Sequence, residues 1–224
     1  MDGRFDYLID YAWGGREVIV KTAPEGSMYG SYTTIFTGSA IDIAADTKDI
    51  TISLRDNSWK LVTPLQKNKY LGTGEKEGGR DIQGQPKPLA FGLNKNLTPV
   101  LVDSVFLTYQ CHDGPIVSVL AVYDDGVLLF PGQDYPNYAA MAAATIPKGA
   151  YATCLAEGFI CFGAPPAGTI TMDVQGQFYS AVNLSETVRQ ILLARTTLTT
   201  ADLTASDFTE FAADLPGRIS GIYY

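Results

Sequence analysis

The sequence predicts a mainly β protein with minor α content, built from antiparallel barrel or sandwich elements that hairpins join. Three observations predict this class. Short runs of strand-forming residues alternate in polarity along most of the chain, as side chains on opposite faces of a pleated strand do. Asp-Gly and similar turn pairs separate many of these runs. Helical patterns are confined to short stretches near 135–145, 184–195 and 206–214.

Residues 1–71 are predicted to form a first β-rich part, a small barrel or sandwich. Strand patterns occur at 5–11, 16–22, 31–43, 49–55 and 59–63. The alternation is cleanest at 49–55, where Ile50, Ile52 and Leu54 are predicted to point inward. Closing a barrel would remove exposed strand edges, whereas edges left open could pair with a neighbouring subunit.

Residues 72–88 are predicted to form an extended loop or arm. This stretch is rich in glycine, charge and proline and contains few apolar residues to bury. Its glycines do not follow the GxxxxGK[ST] spacing of a phosphate-binding loop, and no strand-to-helix frame surrounds them. Nucleotide binding is therefore not expected here.

Residues 89–182 are predicted to form a second β-rich part with one short helix. Its centre is Val105 to Phe130, where two Asp-Gly pairs separate three strand-forming runs and predict a three-stranded antiparallel meander. The middle run, 116–123, is almost entirely apolar, which predicts a central strand covered on both faces. Leu120→Asp is accordingly expected to block folding.

Further patterns in the second part predict a helix, a hairpin and a strand. An alanine-rich stretch near 135–145 predicts the helix, with Asp134 or Asn137 as its cap. Residues 151–162 predict a hairpin, and 169–174 predict a strand with Ile170, Met172 and Val174 inward.

Residues 183–224 are predicted to form a helical C-terminal segment that ends in a strand-like tail. Ser185 is a candidate cap for the first helix and Ser206 for the second. Pro216-Gly217 follows the second helix, and the final residues then return to a strand pattern. This tail is expected to pair with another element or to continue into a longer chain.

Composition and charge narrow the classes of function. The chain has 224 residues, 46% of them hydrophobic, and a formal net charge of −8. Its 16 basic residues are scattered among 24 acidic ones, so sequence-specific nucleic-acid binding is not expected. No run approaches the ~18 apolar residues of a membrane span. The N-terminus lacks the pattern of a signal peptide, so we expect synthesis in the cytoplasm.

No catalytic, cofactor-binding or metal-binding residue is predicted. The one histidine, His112, adjoins Asp113 in an expected hairpin turn, so it is interpreted as a solvated turn residue whose change to alanine alters neither folding nor activity. Three cysteines favour buried free thiols over a disulfide between Cys154 and Cys161. Carboxylate pairs that could serve a glycosidase lie on strands or in loops without an evident apolar setting: Asp6 and Asp10, Asp42 and Asp46, Asp124 and Asp125, Glu75 and Glu77. Asp42, Asp46 and Asp49 lack the spacing of a calcium loop.

Several segments resemble tail proteins of tailed bacteriophages and prophages, specifically tail-tip or baseplate hub components. The segments are LVTPLQKNKYLGTGEKEGGRDIQGQPKPLAFG (61–92), TPVLVDSVFLTYQCHDG (98–114), AVYDDGVLL (121–129) and KGAYATCLAEGFICFGAPPAGTITMDVQG (148–176). The resemblance rests on the order and the amino-acid sequence of these segments and covers about residues 30–200. It contains no catalytic signature, and the chain is short for a hub that also carries a spike.

The resemblance implies a structural, non-enzymatic virion protein. Copies of the chain would assemble into a threefold or sixfold ring around or closing the DNA channel, in contact with neighbouring tail proteins. An alternative is a carbohydrate-binding module for host recognition, for which Trp13 and Trp59 are candidate sugar contacts. A cell-wall glycosidase is the third hypothesis.

Overall fold

A computed structural model describes residues 12–45, 49–180, 183–215 and 221–224 of the chain. It confirms the mainly β class with several antiparallel sheets and a few short helices. None of the sheets formed by the described residues closes into a barrel, so the barrel alternative is wrong for this part of the chain. The chain divides into two compact units: unit 1 is Met1–Thr63 with Thr197–Asp202, and unit 2 is Pro64–Thr196 with Leu203–Tyr224.

Unit 1 contains one three-stranded antiparallel sheet in which the longest strand is central. The strands are β1 (Glu17–Thr22), β2 (Thr33–Ala45) and β3 (Ile50–Arg55), in the order β1-β2-β3. The predicted strand at 5–11 lies outside the described residues. The expected strand at 59–63 is wrong, because Asn57–Val62 forms a 3-10 helix whose cap, Asp56, accepts a hydrogen bond from the Ser58 backbone N–H.

β1 and β3 flank β2 on opposite sides, and each pairs with a different half of it. β1 pairs with residues 33–39 and β3 with residues 39–45, so the two pairings overlap only at Ser39. Each half also contains a bulge, at Ile35 and at Ile41, where one residue of β2 has no partner in the register. Each half of β2 therefore has a single strand neighbour over most of its length.

A polar contact joins the two segments of unit 1. Asp202 accepts hydrogen bonds from the Asn57 side chain (3.2 Å) and from the Thr199 backbone N–H (2.8 Å), and it forms an ion pair with Lys60. The Lys60 hydrogen bond, followed by those from Thr199, lowers the pKa of Asp202 to about 2. The carboxylate is therefore charged at neutral pH and ties Thr197–Asp202 to the 3-10 helix.

Unit 2 is a layered structure with two main sheets. The five-stranded sheet has the order β10-β11-β12-β7-β6, the four-stranded sheet β5-β13-β8-β9, and a two-stranded sheet pairs β14 with β4. The described pairings between these strands are antiparallel except that of β10 with β11, and an isolated parallel bridge also joins Phe91 to Gln177. The strands are β4 (Ala90–Phe91), β5 (Leu93–Leu97), β6 (Val100–Asp103), β7 (Thr108–Gln110), β8 (Ser118–Asp124), β9 (Val127–Leu128), β10 (Phe130–Asp134), β11 (Ala150–Cys154), β12 (Phe159–Phe162), β13 (Ile170–Gln175) and β14 (Ile222–Tyr223).

Three apolar cores hold unit 2 together. The first lies between the two main sheets and includes Val122, Ile160 and Met172, which have no exposed surface. The second lies on the other face of the five-stranded sheet, and the third joins β4 to the second helix. β12 contributes alternate residues to the first and second cores and is buried along its whole length, as its continuous apolar pattern favours.

All three predicted helices are present, and two of their caps differ from expectation. Asn183 rather than Ser185 caps α2, accepting a hydrogen bond from the Glu186 backbone N–H at 2.9 Å. Thr204 precedes α3, so Ser206 lies in its first turn. Among the described residues, none of the helices is long and apolar enough to cross a membrane. The helices are α1 (Tyr138–Ala142), α2 (Leu184–Arg195) and α3 (Ala205–Asp214).

The predicted meander at 105–130 is only half correct. The Asp125-Gly126 turn does join β8 to β9 in a hairpin. The Asp113-Gly114 turn instead carries the chain from the five-stranded sheet to the four-stranded sheet, so β7 and β8 do not pair. The expectation that the middle run is covered on both faces is also wrong, because Leu120 is 51% exposed. Leu120→Asp is therefore not expected to block folding.

Strand β7 is buried on both faces, although its sequence alternates between apolar and polar residues. It lies between β12 and β6, and the second core covers its polar face. Thr108 and Gln110 are consequently buried. The Gln110 side chain is satisfied there, because its Oε1 accepts from the Tyr70 hydroxyl at 2.6 Å and its Nε2 donates to the His112 carbonyl at 3.1 Å.

Residues 72–88 are irregular except for a short 3-10 helix, Glu75–Glu77, and they fold back against the rest of unit 2. The Tyr70 backbone N–H donates to the Gln85 carbonyl (3.0 Å), and the Gly84 N–H donates to the Tyr70 carbonyl (2.9 Å). Ile82 packs against the second core. Short hydrogen-bonded turns, together with this apolar contact, thus order a segment that contains few apolar residues.

Candidate assembly surface on unit 1

Large apolar side chains are unusually exposed in unit 1. All three apolar cores formed by the described residues consist of unit 2 residues. The exposed large hydrophobic residues of unit 1 are Ile19, Met28, Tyr29, Tyr32, Ile35, Ile41, Ile50, Ile52, Trp59, Leu61 and Val62. A sheet ordinarily buries one apolar face, so this exposure marks unit 1 as a candidate interaction surface.

One face of the unit 1 sheet is apolar over most of its length. The pairing register places eight apolar side chains on it: Val18, Val20, Phe36, Ala40, Ile43, Ile50, Ile52 and Leu54. The opposite face is mostly polar apart from Ile19 and includes Glu17, Lys21, Thr37, Asp42, Thr51, Ser53 and Arg55. The predicted alternation in β3 is therefore correct. The prediction that Ile50 and Ile52 point inward is wrong, since Ile50 is 39% and Ile52 43% exposed.

Strand β3 is also an unprotected sheet edge in the described part of the chain. Its outer side has no strand neighbour among the described residues, so the backbone N–H and C=O groups on that side have no ladder partner in this part of the chain. Proteins usually blunt such edges with proline, lysine or very short strands. Other edge strands follow that rule, with Lys21 in β1, Lys95 in β5 and Pro131 in β10. β3 has six residues and contains neither proline nor lysine.

His112 is a buried structural residue, and its interpretation as a solvated turn residue is wrong. Its side chain is fully buried, and Nδ1 accepts a hydrogen bond from the Ala90 backbone N–H at 2.8 Å. Neutral imidazole then carries its proton on Nε2, which has no hydrogen-bond partner among the described residues. Burial, and secondarily the positive charge of Arg195, lowers the pKa of His112 to about 4. The imidazole is therefore neutral at pH 7 and holds β4 in place.

Several of the carboxylates considered for hydrolysis have structural partners, and three lie outside the described residues. Asp6, Asp10 and Asp46 are not described. The Asp124 carboxylate accepts hydrogen bonds from the Ala167 and Gly168 backbone N–H groups, at 2.7 and 2.8 Å. In the described parts of the chain, no cluster of three or more His, Cys, Asp or Glu side chains is arranged to hold a metal ion.

Glu77 and Asp42 likewise have local partners. Glu77 forms an ion pair with Lys87 at 2.7 Å. The Asp42 carboxylate accepts a hydrogen bond from the Ile43 backbone N–H at 2.8 Å. Glu77 does line a small pocket with Asp113 and Glu157, but these three carboxylates are held by Lys87, Asn68 and Lys76 respectively. A glycosidase instead needs two carboxyl groups that face the scissile bond.

The remaining candidates are the cysteines and the tryptophans. Cys154 and Cys161 do not lie opposite each other in the β11–β12 hairpin, and both are buried and free, as is Cys111. Trp59 is 41% exposed, and the Arg55 guanidinium carbon lies 4.3 Å from the centre of its ring. The guanidinium thus covers part of the ring surface on which a sugar would stack.

Comparison with protein-family models, with curated proteins and with solved structures finds no match to this chain.

Proposed function

We propose that this chain is a structural subunit of a bacteriophage tail tip or baseplate hub. Copies assemble into a ring around or closing the DNA channel, beside neighbouring tail proteins. The observation that carries the proposal is the apolar, open-edged sheet of unit 1, which has no core of its own among the described residues. A surface of this kind is characteristic of a protein that completes its packing in an assembly.

The bacteriophage setting comes from the sequence segments that resemble tail hub proteins. Three of the four segments lie wholly in unit 2, and the first begins at Leu61, close to the boundary between the units. Under the proposal, unit 2 supplies a rigid β-rich framework and unit 1 supplies an assembly surface. The role is structural, and the partners are other copies of the chain and adjacent tail proteins.

Two measurements test the proposal together. Sedimentation of the purified chain over a range of concentrations is expected to show association into oligomers. Antibody labelling in electron micrographs of phage-like particles from the producing host is expected to place the chain at the tail end. A chain that stays monomeric and is absent from every particle would contradict the proposal.

A further inference from the structure

We infer that β3 pairs antiparallel with β3 of a second copy of the chain, across a two-fold axis. The inference deepens the proposed function and rests on it in one respect: both require that copies of the chain associate. It specifies the strand, the register and the symmetry of one contact. The paired strands would join two three-stranded sheets into a six-stranded sheet and continue the apolar face of unit 1 across the axis.

The sequence of β3 and its preceding residue is self-complementary in one register. A two-fold axis perpendicular to the sheet keeps each face on its own side, so apolar residues must lie opposite apolar residues. Centring the pair on Ile52 places Ile52 opposite its own copy and Ile50 opposite Leu54 of the second copy. On the polar face, Thr51 then lies opposite Ser53 of the second copy.

The charges at the two ends of the strand select the same register. Asp49 precedes the strand and Arg55 ends it, and both are exposed. With the pair centred on Ile52, Asp49 lies opposite Arg55 of the second copy at each end. Opposite charges in this position stabilise a strand pair, and a carboxylate can accept hydrogen bonds from more than one donor. Centring the pair on Thr51 or Ser53 keeps the faces but loses both charge pairs.

The symmetry of this contact constrains the copy number of the assembly. An isologous contact joins copies in pairs, unlike the heterologous contacts that close a ring. An assembly in which every β3 is paired contains an even number of copies. Of the two ring sizes that the sequence resemblance implies, six copies arranged as three pairs satisfy this condition and three copies do not.

Charge-swap variants test the contact without disturbing an apolar core. Asp49→Arg and Arg55→Asp each place like charges opposite one another at both ends of the pair. Each single variant is expected to raise the dimer dissociation constant roughly tenfold or more. The double variant with both changes is expected to restore association. An equimolar mixture of the two single variants is expected to form a heterodimer, because residues of opposite charge then face each other at both ends of the strand pair.

Arg55→Lys is the matched control, since it preserves the positive charge. Sedimentation equilibrium measures association, and circular dichroism with the urea midpoint of unit 2 checks that each variant is folded. Single variants that associate like the wild type, or a double variant that stays dissociated, overturn the β3 contact while leaving the assembly in place. A wild-type chain that is monomeric at every concentration overturns the contact, and it overturns the proposed function as well if the chain is also absent from every particle.

Discussion

Unit 1 and unit 2 are both built mainly from antiparallel strands, yet they bury their side chains very differently. In unit 2, two sheets and the flanking helices enclose three apolar cores. In unit 1, a single sheet presents an apolar face on which Ile50 and Ile52 remain exposed, and an Asp202 carboxylate ties the two segments together. The same amphipathic alternation therefore stabilises a fold only when a second layer covers the apolar face.

Matched isoleucine truncations give the largest expected difference between the units. Ile160 has no exposed surface, whereas Ile52 is 43% exposed. Ile160→Ala is expected to cost about 2–5 kcal/mol in the free energy of unfolding, because it leaves a cavity in the first core. Ile52→Ala is expected to cost about 0.5 kcal/mol in the monomer. Urea denaturation at low protein concentration measures both. Equal losses would show that unit 1 has a core comparable to that of unit 2.

Glycine substitutions sharpen the comparison at the level of the backbone. Gly158 in unit 2 and Gly26 in unit 1 both have positive φ, at +73° and +81°. An added Cβ at Gly158 would lie 2.2 Å from the His112 carbonyl oxygen, whereas nothing lies within 4 Å of one at Gly26. Gly26→Ala is expected to cost about 1–2 kcal/mol through its backbone conformation alone. Gly158→Ala adds a clash and is expected to cost about 2–4 kcal/mol.

Thermal denaturation followed by circular dichroism checks this pair of variants. A Gly158→Ala protein no less stable than Gly26→Ala would mean that the close approach of β12 to the His112 turn is absent in solution.

A pH dependence specific to unit 2 is the smallest of the three expected effects. The pKa of His112 is about 4 in the folded chain, below its ordinary value of 6.5. The unfolded chain therefore binds a proton at a higher pH than the folded chain, and stability is lost as the pH falls from 6.5 toward 4. At pH 5 the expected loss is about 2 kcal/mol relative to pH 7. Protonation would also remove the acceptor for the Ala90 N–H.

His112→Gln is the control, because it cannot titrate in this range. The difference in unfolding free energy between pH 7 and pH 5 should shrink by about 2 kcal/mol in that variant. An unchanged difference would place the titrating groups elsewhere in the chain.

Local patterns in the sequence predicted the strands and helices better than they predicted the layers. The alternation at Ile170, Met172 and Val174 correctly indicated side chains that face a core, and the three helices lie where their patterns placed them. Burial depends on what covers each face, and a strand pattern does not contain that information. For this reason Ile52 was expected to point inward and is exposed, whereas Gln110, on the polar side of the alternating strand β7, is buried.

The candidate surface could be predicted only in part. The density of short strands in residues 1–71 indicated that strand edges could be left open there. The clean alternation of residues 49–55 indicated strand β3. Whether the described residues form a second layer over the unit 1 sheet depends on the paths of distant segments, which no short pattern specifies. His112 was misinterpreted for a similar reason, because Ala90, which donates a hydrogen bond to it, lies 22 residues away in sequence.

The division of β2 between two partners has a consequence for how unit 1 opens. β1 pairs with one half of β2 and β3 with the other, with Ser39 as the shared position. Separation of one hairpin therefore leaves the hydrogen bonds of the other intact, and unit 1 has two separable opening units in place of one. Amide hydrogen exchange along this single strand should accordingly show two rates. In an assembled sample, one half of β2 should exchange more slowly than the other. That half is the one whose partner strand is held by a second copy of the chain.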